Sequence, residues 1–200
     1  MQRFAIFHKS DKFYFGRNFA IYSIIFTCLG IIMLKQQFVS AEQNVTEIFL
    51  GSIAGVSFLY GIICKTIGFA KPNKLRGKLE GFITFEHNAI IVEKQIYRLE
   101  EVKKIEISNE DYYGRMIATT GGDFNSPLSN GVDNKLQIVL ITEQVKSYYF
   151  EMYNPDDLQK VKNELINYCR NGKLPFSNLT YLLGIDSEEE LQEMKKIIQI

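Results

Sequence analysis

Residues 18–34 read NFAIYSIIFTCLGIIML and residues 48–64 read IFLGSIAGVSFLYGIIC, and neither run holds an Asp, Glu, Lys, Arg or His. Each run has 17 residues, which as a helix rises about 25 Å, just under a hydrocarbon core of about 30 Å. Phe13, Tyr14, Phe15 and Phe69 flank the runs and can extend them as interfacial aromatics. Both runs are apolar around their whole circumference, whereas a buried helix of a soluble protein usually carries a stripe. Val39-Ser40-Ala41 resembles a leader cleavage site, but the long aromatic tail ahead of the first run and the length of that run do not suit a leader. The two runs therefore predict a transmembrane hairpin over residues 18–70, with spans at about 18–35 and 47–69 and a loop at about 36–46.

The flanks set the expected orientation. Arg3, Lys9, Lys12 and Arg17 precede the first run, and Lys65, Lys71, Lys74, Arg76 and Lys78 follow the second. Between the runs Lys35 is the single basic residue, against Glu42 and Glu47. The positive-inside bias predicts two spans in a cell (inner) membrane, with residues 1–17 a cytoplasmic tail and both termini cytoplasmic. Next to a bilayer, the basic set Lys65, Lys71, Lys74, Arg76 and Lys78 should attract anionic lipid at about 1 kcal/mol per residue. Gly51, Gly55, Ser57 and Gly61 place small residues on the second run, which suits close packing against the first helix and, secondarily, self-association. Without an intramembrane ionisable group, the hairpin reads as an anchor rather than a transport path. Asn44-Val45-Thr46 matches a glycosylation acceptor and carries no assigned role.

The remaining chain has a different composition. With 200 residues and a formal net charge of +0, nothing points to a nucleic-acid partner. Cys28, Cys64 and Cys169 are far apart and form no C-x-x-C pair, so neither a disulfide framework nor a zinc site is expected. After a basic linker at 71–76, short alternating segments begin. Leu79, Ile83 and Phe85 lead to a turn at Glu86-His87-Asn88, then Ile90 to Val92, a turn at Glu93-Lys94, and Gln95 to Arg98. Lys103 to Ser108 follows a corner at Leu99-Glu100-Glu101-Val102, and Lys135 to Thr142 pairs with Lys146 to Met152 across Glu143-Gln144. Asn154 is an expected helix cap, with Pro155, Asp156 and Asp157 in the first turn. Leu158, Val161, Leu165, Ile166 and Cys169 make its buried stripe, and Gly172 its stop. A last amphipathic helix begins at Ser187 with Glu190 at capping-box spacing, and Leu191, Met194, Ile197 and Ile198 face inward.

This order, with the phrase Ile96-Tyr97-Arg98-Leu99-Glu100-Glu101-Val102-Lys103-Lys104-Ile105 and the helix start Asn154-Pro155-Asp156-Asp157, resembles the bacterial membrane-anchored PH-like domain proteins. The resemblance covers about residues 18–172. It implies an α+β fold: a two-helix transmembrane hairpin, then a small PH-like antiparallel β-barrel with its closing helix at 77–172, and an extra helical tail at 173–200. It also implies a binding scaffold. The familiar lipid-headgroup mode of PH domains uses basic residues at the first hairpin, and no Lys or Arg occurs from Gly81 through Val92.

No catalytic, metal or cofactor motif stands out. His8 and His87 are the two histidines, neither at metal or nucleophile spacing, and no phosphate-loop pattern occurs. Convergence of Asp111, His87 and Asp133 in a deep pocket would favour an enzyme. Residues 111–134 are long for an unstructured loop. They read as a strand hidden among turns near Arg115 to Thr119, as a partner-binding loop that presents Tyr112, Tyr113, Phe124, Asn130 and Asp133, or as disorder. The expected function is a non-catalytic, membrane-anchored interaction module with the bilayer and a protein partner, or a second copy, as its contacts. The alternative is a sensor of anionic lipid or a small ligand.

Overall fold

The computed structural model describes residues 2–38 and 45–198. Val39-Ser40-Ala41 and Asn44 of the acceptor tripeptide lie outside the described residues. The chain is α+β, and it divides into two compact units. One comprises Met1–Ser10, Lys74–Arg115 and Ser129–Ile200, the other Asp11–Asn73 and Met116–Leu128.

In chain order the strands are β1 (Arg3–Lys9), β2 (Gly77–Glu86), β3 (Ala89–Val92), β4 (Gln95–Arg98), β5 (Val102–Ser108), β6 (Tyr113–Met116), β7 (Leu128–Asn130), β8 (Asn134–Leu140) and β9 (Val145–Phe150). The helices are α1 (Arg17–Phe38), α2 (Val45–Gly68), α3 (Lys162–Arg170), α4 (Phe176–Leu182) and α5 (Glu188–Ile198), with a 3₁₀ turn at Asp157–Val161. Seven strands form one antiparallel sheet in the order β4-β3-β2-β1-β9-β8-β5, while β6 and β7 pair separately.

The segment before α1 is not all a free tail, since it holds β1. Phe4 and Ile6 point into the core at 2% exposure each, and β1 pairs with β2 from Arg3↔Thr84 to Lys9↔Gly77 and with β9 at Ile6↔Phe150. One strand thus joins two meanders, β2-β3-β4 and β5-β8-β9, into a single sheet. The segment alternates as a half-buried strand must, but its partner β2 lies beyond both apolar helices, so no local turn announces the pairing.

Nor is the sheet a closed barrel, because β4 and β5 remain its two edges. A reason lies along β5, where a closing strand would bond. Ile105 donates its N–H to the Lys173 carbonyl at 2.7 Å. Ile107 donates to Asn178 Oδ1 at 3.0 Å, and Asn178 Nδ2 returns a bond to the Ile107 carbonyl at 2.8 Å. The chain after α3 therefore occupies an edge that would otherwise invite another strand. That places the tail through Ile198: α4 docks by Asn178 with Leu179 and Leu182 buried, and Met194 and Ile198 of α5 join the same core. Arg170 Nη2 in α3 donates to the Ile197 carbonyl at 2.5 Å.

The expected stripe of α3 and its approach is buried from Leu158 to Cys169. Gly172, at φ +67°, ends the helix. Its start departs from the expected Asn154 cap. Asp157 Oδ2 accepts the N–H groups of Tyr153 (2.8 Å) and Asn154 (2.9 Å), and a 3₁₀ turn precedes the α-helix. Burial alone would raise the Asp157 pKa, but the Lys160 ammonium at 2.6 Å and these two amides outweigh it and hold the carboxyl below its ordinary value. Tyr168, fully buried, donates its hydroxyl to the Glu86 carbonyl at 2.6 Å and to the Ala89 carbonyl at 2.9 Å. Asn167 Nδ2 donates to the His87 carbonyl at 2.6 Å, so the β2–β3 turn is engaged by α3.

In the second unit, α1 and α2 have 22 and 24 residues, about 33 and 36 Å of rise. Both are long and apolar enough to cross a membrane. Phe19, Phe26, Met33, Leu34, Ile48, Phe49, Val56 and Leu59 are each more than half exposed. Lys35 Nζ and Glu47 Oε1 meet at 3.4 Å where the two helices approach their connection. Cys28, Cys64 and Cys169 are free thiols.

Candidate functional site

Residues 111–134, expected as a hidden strand, a partner-binding loop or disorder, contain a two-stranded ribbon of β6 and β7. Its base belongs to the sheet unit and its tip to the helical unit.

At the base, Asp111 is buried at 6% exposure. Its Oδ2 accepts the Ser129 hydroxyl at 2.6 Å and the Asp133 N–H at 3.0 Å, while its own N–H donates to Asn134 Oδ1 at 3.0 Å. Asn134, fully buried, donates Nδ2 to the carbonyls of Gly131 (3.0 Å) and Phe150 (3.2 Å). Gly131 sits at φ +72°, and a Cβ there would lie 2.3 Å from the Met152 carbonyl oxygen and 2.4 Å from the Tyr113 nitrogen. Only glycine fits that backbone and that space. Asp111, Ser129, Gly131 and Asn134 thus act as a clamp that closes the ribbon onto the sheet. His87 takes no part in it, being on the exposed β2–β3 turn.

The other expected base residues have mixed fates. Tyr112 is half-buried against the core. Tyr113 is exposed and lies 5.8 Å from Tyr153, ring centre to ring centre. Beside this pair, burial raises the Glu151 pKa, partly offset by a hydrogen bond from Tyr153. The Glu151 charge in turn raises the Tyr153 phenol. Asn130 is half-buried in β7, and Asp133 is exposed with its N–H engaged in the clamp.

At the tip, Phe124 is not presented to solvent. It is 3% exposed, with its ring 5.5 Å from Tyr22 and 5.9 Å from Phe58. A Cβ on Gly61 would lie 2.7 Å from the Phe124 ring. Gly61 therefore admits a ring from the ribbon rather than the first helix, and a Cβ on Gly51 or Gly55 would meet nothing within 4 Å. Asn18 holds the tip from α1 by donating Nδ2 to Asp123 Oδ1 at 2.7 Å and accepting the Phe124 N–H at 3.0 Å. Ser126 donates its hydroxyl to the carbonyls of Gly68 (2.6 Å) and Lys71 (2.9 Å). Burial would raise the Asp123 pKa, but the Asn18 amide, Asn125 and the positive charge of Lys65 together lower it.

Among the expected basic residues, Lys65 is half-buried at the end of α2 and Lys71 is exposed in the same unit, while Lys74, Arg76 and Lys78 are exposed in the sheet unit. The sequence reading missed Ser129, Asn134, Asn18, Tyr22 and Ser126. The clamp residues look like ordinary turn formers, and the seat of the tip joins residues from far-separated segments. Among the described residues no group of three or more His, Cys, Asp or Glu is placed to hold a metal ion. Comparison of the chain with models of protein families, with curated proteins and with solved structures found no match.

Proposed function

We propose that this chain is a membrane-anchored interaction module, in which α1 and α2 span the inner membrane of a bacterial cell and the sheet unit works on the cytoplasmic face. The carrying observation is the exposed apolar surface of the two helices, which hydrocarbon would solvate and water would not. The sheet supports one sidedness. Since Lys9 pairs with Gly77, the chain enters and leaves the helical pair from one end of the β1–β2 ladder. In this reading both termini lie on the same side, and the basic flanks favour the cytoplasm.

The sheet unit is a PH-like scaffold in this reading. Two meanders joined through β1, with α3 packed on their common core, support it. Phosphoinositide capture at the β2–β3 turn is disfavoured, because the turn has no basic residue and α3 binds its carbonyls. The exposed Tyr113–Tyr153 pair is the surface offered to a protein partner or a second copy, since paired aromatics are favoured interface anchors. Crosslinking in native membranes should trap one discrete adduct that disappears in a Tyr113→Ser/Tyr153→Ser variant. A random ladder unchanged by the substitutions would remove the module reading, and release of the full chain by alkaline carbonate would remove the anchor.

A sensor of anionic lipid is the second reading. A cleft of about 280 Å³ in the helical unit is lined by Phe58, Ile62, Phe69 and Phe124, with Lys65 and Asp123 beside them. Apolar walls with an ammonium group suit an anionic amphiphile. The full chain in nanodiscs with and without anionic lipid discriminates: the sensor reading requires a lipid-dependent change in protection of residues 116–128, whereas the module reading requires none.

A further inference from the structure

The contacts of the ribbon tip give it a depth along the helices. Gly61 lies four residues inside Lys65, about 6 Å of rise, and Phe58 seven residues inside it, about 10 Å. Tyr22 lies five residues inside Arg17, about 7.5 Å. Phe124 touches all three positions, so its ring is level with residues inside the charged fences of both apolar runs.

Part of the backbone of the tip is bonded within its own unit. Ile117 donates to the Pro127 carbonyl at 2.6 Å and Asp123 to that of Thr120 at 3.2 Å. Phe124 donates to Asn18 Oδ1, Asn125 to Asp123 Oδ1 at 2.8 Å, and Leu128 to Ser126 Oγ at 3.1 Å. The Gly122 carbonyl accepts the Tyr22 hydroxyl at 2.7 Å. Irregular backbone persists near hydrocarbon only when its polar groups are met within the protein. The surface at the start of the segment is apolar: Met116 is 67% and Ile117 51% exposed, Ala118 is exposed, and no charge occurs from Met116 through Gly122.

We propose that residues 116–128 are a third membrane-contacting element, a wedge seated in the headgroup and upper acyl layer of the cytoplasmic leaflet, with Met116, Ile117 and Ala118 against lipid. The proposal rests on the reading of α1 and α2 as spanning helices. Lipid is the occupant because the exposed residues share one compact unit with those helices, and the Phe124 ring of the same unit seats against residues inside their charged fences.

The chain contains no Trp, so a single introduced Trp is a unique emitter. Ile117→Trp and, independently, Met116→Trp report the tip of the full chain in phospholipid vesicles. Phe26→Trp reports the middle of α1, and Ile141→Trp, 61% exposed before substitution on the β8–β9 turn, reports a position in water. Vesicles carry lipid brominated near the top of the acyl chain or deep within it, with acrylamide as the aqueous quencher.

The wedge requires both tip emitters to lose most of their emission to shallow bromines. Phe26→Trp should respond to deep bromines and Ile141→Trp to acrylamide alone. Tip emitters that follow Ile141→Trp, with Phe26→Trp still quenched in the bilayer, overturn the wedge and leave the anchor standing. Shielding of the tip from both quenchers means that protein covers it and also overturns the wedge. If Phe26→Trp itself lies in water, the anchor and the wedge fall together.

Discussion

Asp111 shows how one buried carboxylate can fix a long excursion of chain. It receives the Ser129 hydroxyl and the Asp133 N–H from the returning strand, so Asp111→Ala strands two donors where little water reaches. We expect a loss of about 2–3 kcal/mol in the unfolding free energy of the sheet unit, measured by denaturant titration of the full chain in detergent; a loss within error of zero would show that the clamp is ornamental. Asp157 makes a different prediction because its partners are charged and backbone groups. Its folded pKa is depressed, so its contribution is fully present above the unfolded value of about 4 and fades as pH falls through the lower folded value. The stability gap between the native chain and Asp157→Asn should therefore be constant from pH 7 to about pH 5 and close below about pH 4. A gap that widened with acid would contradict the hydrogen-bonded role. Both residues sit in polar stretches that read as turns. Their chemical type was visible in the sequence, but their burial was not, because burial depends on strands that arrive from elsewhere.

At the scale of elements, what a sequence reveals depends on how local the pairing is. The hairpins β2-β3, β3-β4 and β8-β9 have alternating residues on both sides of a short turn, and α3 carries its whole stripe within a few turns, so periodicity suffices. β1 has the same alternation, yet one partner lies across two apolar helices in the sequence and the other is the last strand of the chain. α4 escaped notice because it is 7 residues long, with no side-chain cap, and its docking depends on a bond between Asn178 and Ile107. The ribbon tip is the sharpest case: Phe124 reads as an aromatic in polar surroundings and so suggests a partner outside the chain, whereas its seat is the space left by Gly61. Glycines on one helix can now be told apart by what stands over them. Gly55 is open, so Gly55→Ala should be neutral or stabilising by about 0.5–1 kcal/mol through helix propensity. At Gly61 a Cβ would sit 2.7 Å from the Phe124 ring, and Gly61→Ala should cost about 1–3 kcal/mol by overpacking. Thermal melting in detergent, read alongside protease cleavage within residues 116–128, separates the two; equal behaviour of both variants would sink the proposed seat of Phe124.

For the whole molecule, the order of elements describes a sheet domain with two insertions. Residues 11–75 leave between β1 and β2, and the ribbon leaves between β5 and β8, and in each case the flanking strands are held by their own contacts. Ser10 donates its N–H to the Arg76 carbonyl at 3.1 Å, one step beyond the Lys9↔Gly77 pair, and the Asp111 clamp holds the other exit. The two departures also return to one another, since the tip of the second insertion packs on the helices of the first. If that description is physical, the sheet unit should survive the removal of both. Replacing residues 11–75 by Asn-Gly supplies the two-residue turn that a tight antiparallel hairpin favours, and the same replacement of 117–127 shortens the ribbon to a hairpin. We expect this doubly excised chain to be monodisperse in buffer without detergent, to give a strand-rich circular dichroism spectrum and to melt cooperatively. Excising 11–75 alone should instead leave Phe124 without its seat and produce an aggregating protein, because an exposed apolar tip is an association site in water. Were the double excision to aggregate just as the single one does, the apolar helices would be required for the sheet to fold, and the anchor would have to be regarded as part of the core that it interrupts.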